Sequence, residues 1–422
     1  MGKNIFKDMT NRRDFIKTAA KFGVSISAIS VLSACINSSS GSSGQGSSSD
    51  TNGGKVTFQT FGLENPGWID IDNGIKDAIA ALGFGMSYDF LAHKQDVNLQ
   101  ISQLEQAIPN GTKVLITYIP DRGAVPRVAK MCQENKIHMI SLWTNPVWYS
   151  PLNVGDYYLQ FAQPDGELMA YEVSAALFKK LGGKGTVIHI PGYPDGVADT
   201  IRTAGVDRAL KEYPDIKLVR GQQGGWNRTD TRKSLEDVLV KVDHVDGAIG
   251  QNDDQAAGIV AVLKERKIKA PVVGIDGVEE AFQYIREGSM YATHCEINPY
   301  IGGRSVVALF DALNGWKPSI PERMIVTESV LVTKENVDHV AKRMGWGAKK
   351  TGFDWKKMSR ILNPDSWDPQ MEIKPLDPWK FWNGQKVEPG MGLPKEYEKA
   401  KSKGEWEKVT QMYAEQYKMK LL

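Results

Sequence analysis

Apolar residues recur along this chain with two alternating periods. Short runs rich in β-branched and aromatic residues at 55–61, 86–91, 114–118 and 137–142 read as strands. Between them, apolar positions three and four apart predict helices over 68–82, 97–108 and 125–135. In the first of these the spacing is Ile71, Ile75, Ala78, Ile79 and Leu82, and Gly83 stops it. After an intervening segment, 161–181, the rhythm resumes: strands over 185–190, 216–219, 247–250 and 272–275, helices over 197–213, 230–242 and 255–267. A β-α-β-α order implies parallel sheets covered by helices. Because it runs twice, the economical fold is α/β with two doubly wound parallel-sheet lobes. Ligands of such sheets bind beyond the carboxyl ends of the strands.

Those ends carry a particular set of side chains. Asn65 and Trp68 follow the first strand, Tyr118 ends the third, and Trp143, Thr144 and Asn145 follow the fourth. In the second half, Tyr193 and Asp195 follow the first strand, Trp226 the second, Asn252 the third and Asp276 the fourth. Aromatic rings stack on the flat C–H faces of sugars, while carboxylates and amides take hydroxyls in pairs. Any one of these residues alone reads equally well as a turn former or a stray surface aromatic. So many in register at strand ends point to a carbohydrate site.

Composition narrows the classes further. Hydrophobic residues are 41% and charged residues 24%, close to the soluble average. The net charge of +2 carries no nucleic-acid footprint. Cys132 and Cys295 read as two buried thiols rather than a disulfide. The six His show no metal-ligand spacing, and the Asp-Ile-Asp-Asn-Gly run at 70–74 lacks the distal Glu of a calcium loop. The Gly-rich run at 182–186 precedes a strand instead of following one, and no nucleophile elbow is present. No cofactor, no metal and no catalysis are expected.

The N-terminus predicts where the protein works. Val31-Leu32-Ser33-Ala34-Cys35 resembles a bacterial lipobox, and Asn11-Arg12-Arg13-Asp14-Phe15-Ile16-Lys17 looks like a twin-arginine export motif. The apolar run between them, 22–34, is short of the roughly 20 residues a spanning helix needs. Residues 1–34 are therefore expected to be a cleaved signal, with Cys35 lipidated. The Ser- and Gly-rich stretch 35–54 is expected to be a flexible tether. Such a protein is extracytoplasmic and held to the membrane by its lipid, away from DNA and cytosolic nucleotides.

Three motifs carry a family resemblance: Asn65-Pro66-Gly67-Trp68, then Gly250-Gln251-Asn252-Asp253-Asp254-Gln255-Ala256-Ala257-Gly258, then Val273-Gly274-Ile275-Asp276-Gly277. With them, residues 55–333 resemble the ribose- and galactose-binding type I periplasmic solute-binding proteins, the capture subunits of ABC sugar importers. The resemblance implies a three-crossing hinge, with crossings near 159–164, 294–298 and 327–332. The first lobe would comprise 55–162 and 297–326, the second 163–296 and 327–341. It also implies roles. Asn65, Asn252 and Asp276 would hold hydroxyls, and Trp68 and Trp226 would stack from opposite lobes. Glu296 stands where ribose binders place a sugar-binding Gln, and Tyr193-Pro194-Asp195 resembles a His-Pro-Asp turn of galactose binders. The chain also departs from the family. Trp143-Thr144 replaces an Asp-Arg pair, Thr200 stands where a ligand-binding Arg is found, and Arg202 falls on a structural position. The pocket is thus expected to be more aromatic and less charged, suited to a monosaccharide or polyol. The implied partners are that ligand and ABC permease subunits, bound by a monomer. A surface sugar sensor that presents its ligand-bound form to a receptor would have the same pocket.

Residues 342–422 lie outside the resemblance. They hold Trp346, Trp355, Trp367, Trp379, Trp382 and Trp406, six of the chain's 11 Trp. So much aromatic area is rarely left in water. This C-terminal extension is expected to wrap over one lobe, closed by a helix over 394–421.

Overall fold

The strand patterns pair into two sheets in the computed structural model, which describes residues 53–193, 197–346, 350–382 and 384–417. The expected signal, Cys35, nearly all of the tether, and Asp195 lie outside the described residues.

The first sheet takes β1 (Lys55–Thr60), β2 (Ser87–Ala92), β3 (Thr112–Tyr118), β4 (His138–Leu142) and β5 (Tyr158–Pro164) in the parallel order β2-β1-β3-β4-β5. The second takes β6 (Lys184–Ile190), β7 (Asp215–Arg220), β8 (Gly247–Gly250), β9 (Val272–Asp276) and β10 (Ala292–Cys295) in the order β7-β6-β8-β9-β10. The two orders are equivalent. Each is doubly wound, with its switch point between the first and third strands of the lobe, where the crevice at the strand ends opens. Helices α1 (Pro66–Leu82), α2 (Val97–Ala107) and α3 (Val125–Glu134) serve the first lobe. Helices α4 (Gly166–Lys180), α5 (Val197–Glu212), α6 (Arg228–Leu239), α7 (Asp253–Glu265) and α8 (Glu279–Glu287) serve the second.

The chain then returns. Helix α9 (Asn298–Leu313) packs along α1 in the first lobe. Gly74 and Gly302 permit the close approach: a Cβ on Gly74 would lie 1.9 Å from Pro299 O, and one on Gly302 2.1 Å from Ile71 O. Strand β11 (Met324–Thr327) joins β5 in parallel, and β12 (Val330–Val332) joins β10 antiparallel. The chain thus passes between the sheets after β5, after β10 and after β11. Cys132 and Cys295 are free, buried thiols.

The extension crosses once more. Helix α10 (Val337–Met344) packs on α8 of the second lobe, and α11 (Trp355–Met358) packs on α1 and α9 of the first. Between them, the ring of Trp346 meets Phe282 of α8 edge-on at 4.7 Å, while its Nε1–H donates to Asp70 of α1 at 3.2 Å. The rest wraps the first lobe. Trp355 is buried against Gly303 and donates from Nε1 to Asp77 at 2.9 Å. Strand β13 (Ile373–Pro375) extends the first sheet antiparallel to β11. After α12 (Pro378–Phe381), the expected single helix is two: α13 (Lys395–Ser402) and α14 (Glu405–Gln416). Gly404, at φ 66°, breaks it, because a left-handed residue cannot continue an α-helix. Trp406 of α14 is buried and donates to Leu376 O at 3.0 Å. Among the described residues no helix is long and apolar enough to cross a membrane.

Candidate functional site

The first-lobe wall of the crevice begins with a helix cap. Asn65 Oδ1 accepts from Gly67 N at 2.9 Å and Pro66 opens α1, which sets the turn that brings Trp68 to the crevice. Trp68 meets Phe61 edge-on at 5.6 Å, Tyr118 at 5.4 Å and Trp143 edge-on at 5.1 Å. Trp143 is thrust out at the end of β4 by a tight turn. Thr144 N donates to Leu142 O at 2.7 Å around a Trp143 φ of 59°. A γ-turn of that hand is strained, and strain of this kind concentrates at functional sites.

Trp226 faces this wall from the second lobe. It follows β7 with a φ of 58°. Its ring covers Gly192, where a Cβ would come within 2.4 Å of Trp226 Cζ2, so only glycine seats the indole there. The guanidinium carbon of Arg202 stands 5.5 Å from the centre of the same ring, within cation–π range.

The floor is charged. Arg202, on α5, donates to Asp276 Oδ1 from both Nη atoms at 3.2 Å, to Gln251 O at 2.7 Å, and to Glu296 Oε1. Asp276 ends β9 at φ 126°, and Glu296 lies on the passage from β10 to α9. Below them Asp253 accepts from Gly277 N at 2.6 Å, Val278 N at 3.0 Å and Thr293 Oγ1 at 2.6 Å. Burial pushes Asp276 up to about 6, with Arg202 drawing it back. Burial pushes Glu296 up to about 8, again opposed by Arg202 and aided by the charge of Asp276. Asp253 is raised to about 7 by burial and then by Asp276. Three buried carboxylates near one guanidinium cannot all be charged without cost, so each is held above the ordinary carboxylate range. Such a floor offers hydroxyl groups carboxyl oxygens as acceptors.

One cavity of about 80 Å³ gathers Asn65, Trp68, Tyr118, Trp143, Trp226, Asn252, Asp276 and Glu296. Asn252 has a second task there. Its Oδ1 caps α7 by accepting from Gln255 N at 2.9 Å, and its Nδ2 donates to Trp226 O at 3.3 Å. Tyr193 stands apart, 41% exposed, in an outer recess shared with Trp226. Asn145 lies outside this cavity too, on the wall of a larger chamber behind Trp143. The turn at Trp143 reverses the chain, so the Asn145 amide is spent inside the lobe on Pro146 O, Tyr149 O and Tyr158 Oη.

The expected poverty of charge needs correction. Thr200 lines a different chamber, whereas Arg202, placed by sequence on a structural position, lines the cavity and anchors its floor. Phe61, Gln95 and Asn298 also line it without having been singled out. Phe61 ends the first strand pattern and was visible in principle. Gln95 is turned inward by a left-handed backbone (φ 63°) that no residue type announces.

Comparison with known proteins agrees with this architecture. Residues 58–317 match the family model described as "Periplasmic binding protein domain". The xylitol-binding protein of Mycolicibacterium smegmatis is 27% identical over 246 residues, 58% of this chain and 67% of that one. The D-allose-binding periplasmic protein of Escherichia coli is 28% identical over 282 residues, 64% of this chain and 89% of that one. A twin-arginine translocation pathway signal protein from Burkholderia phytofirmans superposes with a TM-score of 0.63 at 23% identity, covering 67% of this chain and 90% of its own. An ABC transporter periplasmic solute-binding protein from Actinobacillus succinogenes, solved with bound D-allose, also gives 0.63, at 19% identity, covering 68% of this chain and 99% of its own. With the matched model covering more than half of its length and both lobes wound in the same order, the chain belongs to the periplasmic binding protein family.

Proposed function

We propose that this protein captures a neutral sugar or polyol outside the cytoplasm and delivers it to an ABC importer, without catalysis. One observation carries the reading. Aromatic rings from both lobes, Trp68 and Trp143 on one side and Trp226 on the other, flank a buried floor of Arg202, Asp276 and Glu296. Rings and hydroxyl-bonding carboxylates together match a sugar's flat face and its rim of hydroxyls. The relatives named for xylitol and D-allose support a polyhydroxy ligand. Asn65 Nδ2 and Asp276 would take hydroxyls, with Glu296 serving as donor or acceptor according to its proton. Closure of the two lobes by hinge motion would shut water out of the site.

The lipobox-like 31–35 and the tether to 54 support anchoring through Cys35. A body held this way would range roughly 5–6 Å times the square root of the tether length from its anchor, within reach of a membrane permease. Two measurements test the proposal. Native mass spectrometry of the purified protein should release a sugar or polyol, and thermal-shift screening should single out the same class. Stabilisation by amino acids and by no carbohydrate would overturn it. Separately, Cys35→Ser should move the protein out of the membrane fraction.

A further inference from the structure

We infer that the cleft holds two linked sugar rings, and that the C-terminal extension builds the second subsite. The inference rests on the proposed reading of the aromatic cavity as a sugar site. Behind Trp143 lies a chamber of about 500 Å³, bounded by both lobes and, from the extension, by Lys374–Asp377, Lys380–Trp382 and Gln385. It is several times larger than the cavity in front of Trp143, at about 80 Å³.

A gap of about 10 Å³ adjoins both spaces, edged by Trp143, Gln163, Ile201, Arg202 and Glu296. That is room for about one water-sized group. A bridging glycosidic oxygen fits such a gap and a ring does not. Trp143 would then stand between two rings.

The chamber has the chemistry of a neutral polyhydroxy ligand. Its charges cancel, with Arg122, Lys374 and Lys380 set against Asp165, Glu167 and Asp377. Trp143 and Phe381 supply aromatic surface. Gln163 adds a sharper sign. It is 4% exposed, lines both the gap and the chamber, and its Nε2 has no partner within the protein. An unmet buried donor is costly, and a ligand hydroxyl or ring oxygen at the gap would satisfy it.

Calorimetry on the purified protein tests this with D-glucose, D-galactose and D-xylose against cellobiose, lactose and xylobiose. At least one disaccharide should bind one-to-one and at least tenfold more tightly than its own monosaccharides. Lys380→Ala, made on an exposed side chain, should remove much of that gain and leave monosaccharide affinity within about twofold. Gln163→Leu should do the same, with its thermal unfolding checked alongside. Monosaccharide binding with no disaccharide gain, or a gain untouched by both substitutions, overturns the second subsite alone. Failure of every sugar to bind overturns it together with the sugar reading of the first cavity.

Discussion

Removing the cation from the floor of the cleft should unbalance it in a pH-dependent way. Arg202 is 5% exposed and makes hydrogen bonds to Asp276, Glu296 and the Gln251 carbonyl. Arg202→Met keeps most of the apolar stem and leaves the two carboxylates buried without their counter-charge. Breaking a buried ion pair from one side costs roughly 3–5 kcal/mol. Part of that cost disappears when the carboxylates take up protons. Both already sit above their ordinary values of 3.8 and 4.5, at about 6 and about 8. Without Arg202 both rise further. A carboxyl whose folded-state value is raised contributes stability fully present below its unfolded value and lost as pH rises through the folded one. The penalty of the substitution should therefore be largest near pH 8 and shrink toward pH 5, to the loss of hydrogen bonds at about 0.5–1.5 kcal/mol each. Denaturant unfolding of the empty protein at both pH values, followed by far-UV circular dichroism, measures it. A loss under about 1 kcal/mol at pH 8, or an equal loss at the two pH values, would refute the idea that Arg202 balances the floor.

Trp226→Ala should weaken sugar binding at least tenfold by calorimetry, since stacking contributes about 0.5–1.5 kcal/mol beyond the burial of the ring; unchanged affinity in a folded variant removes Trp226 from the site. Glu296→Gln should flatten the pH dependence of the empty protein: the raised Glu296 makes it lose stability as pH climbs from 4.5 toward about 8, and the amide does not titrate. An unaltered slope of melting temperature against pH would mean that Glu296 is charged throughout. Trp355→Ala should cost about 3–5 kcal/mol, because it empties a fully buried site over Gly303 and takes one of the donors from Asp77, leaving those of Thr351. A negligible change in the unfolding midpoint would show that the wrap contributes little to the first lobe.

The architecture was legible because each strand is a short apolar run and each covering helix has its own period. Much of the cleft was legible for the same reason: Trp143 and Asp276 follow such runs directly, and Trp226 comes in the loop after one. What the pattern does not carry is local. Asn145 lies only two positions beyond Trp143, but the intervening turn carries it to the neighbouring chamber, and nothing in Trp-Thr-Asn announces a left-handed tryptophan. Arg202 was underweighted because the face of α5 that meets the cleft is set by lobe packing, not by the helix's own pattern. Strand β13 has three residues ending in Pro375, a composition tolerated at a sheet edge and invisible as a strand signal. Gly404 breaks a helical pattern whose apolar spacing continues across it, so the break shows in the residue type and not in the period.

Trp346 meets Phe282 of the second lobe with its ring and Asp70 of the first with its Nε1–H, on a stretch of chain that makes a fourth passage across the hinge. Hinged proteins sample a range of angles, and a ligand's apparent affinity is its intrinsic affinity scaled by the fraction of time the partners already stand in register. A strap that narrows the swing and holds it near the closed angle would raise that fraction, so binding would tighten with no added contact to the ligand. The same narrowing makes an empty molecule resemble a loaded one more often. In small-angle scattering, Trp346→Ala should widen the distribution of sizes of the unliganded protein, and an unchanged profile would relieve the tryptophan of this role. Sensitivity to scarce ligand and silence in its absence would then be set against each other by a side chain that never meets the ligand.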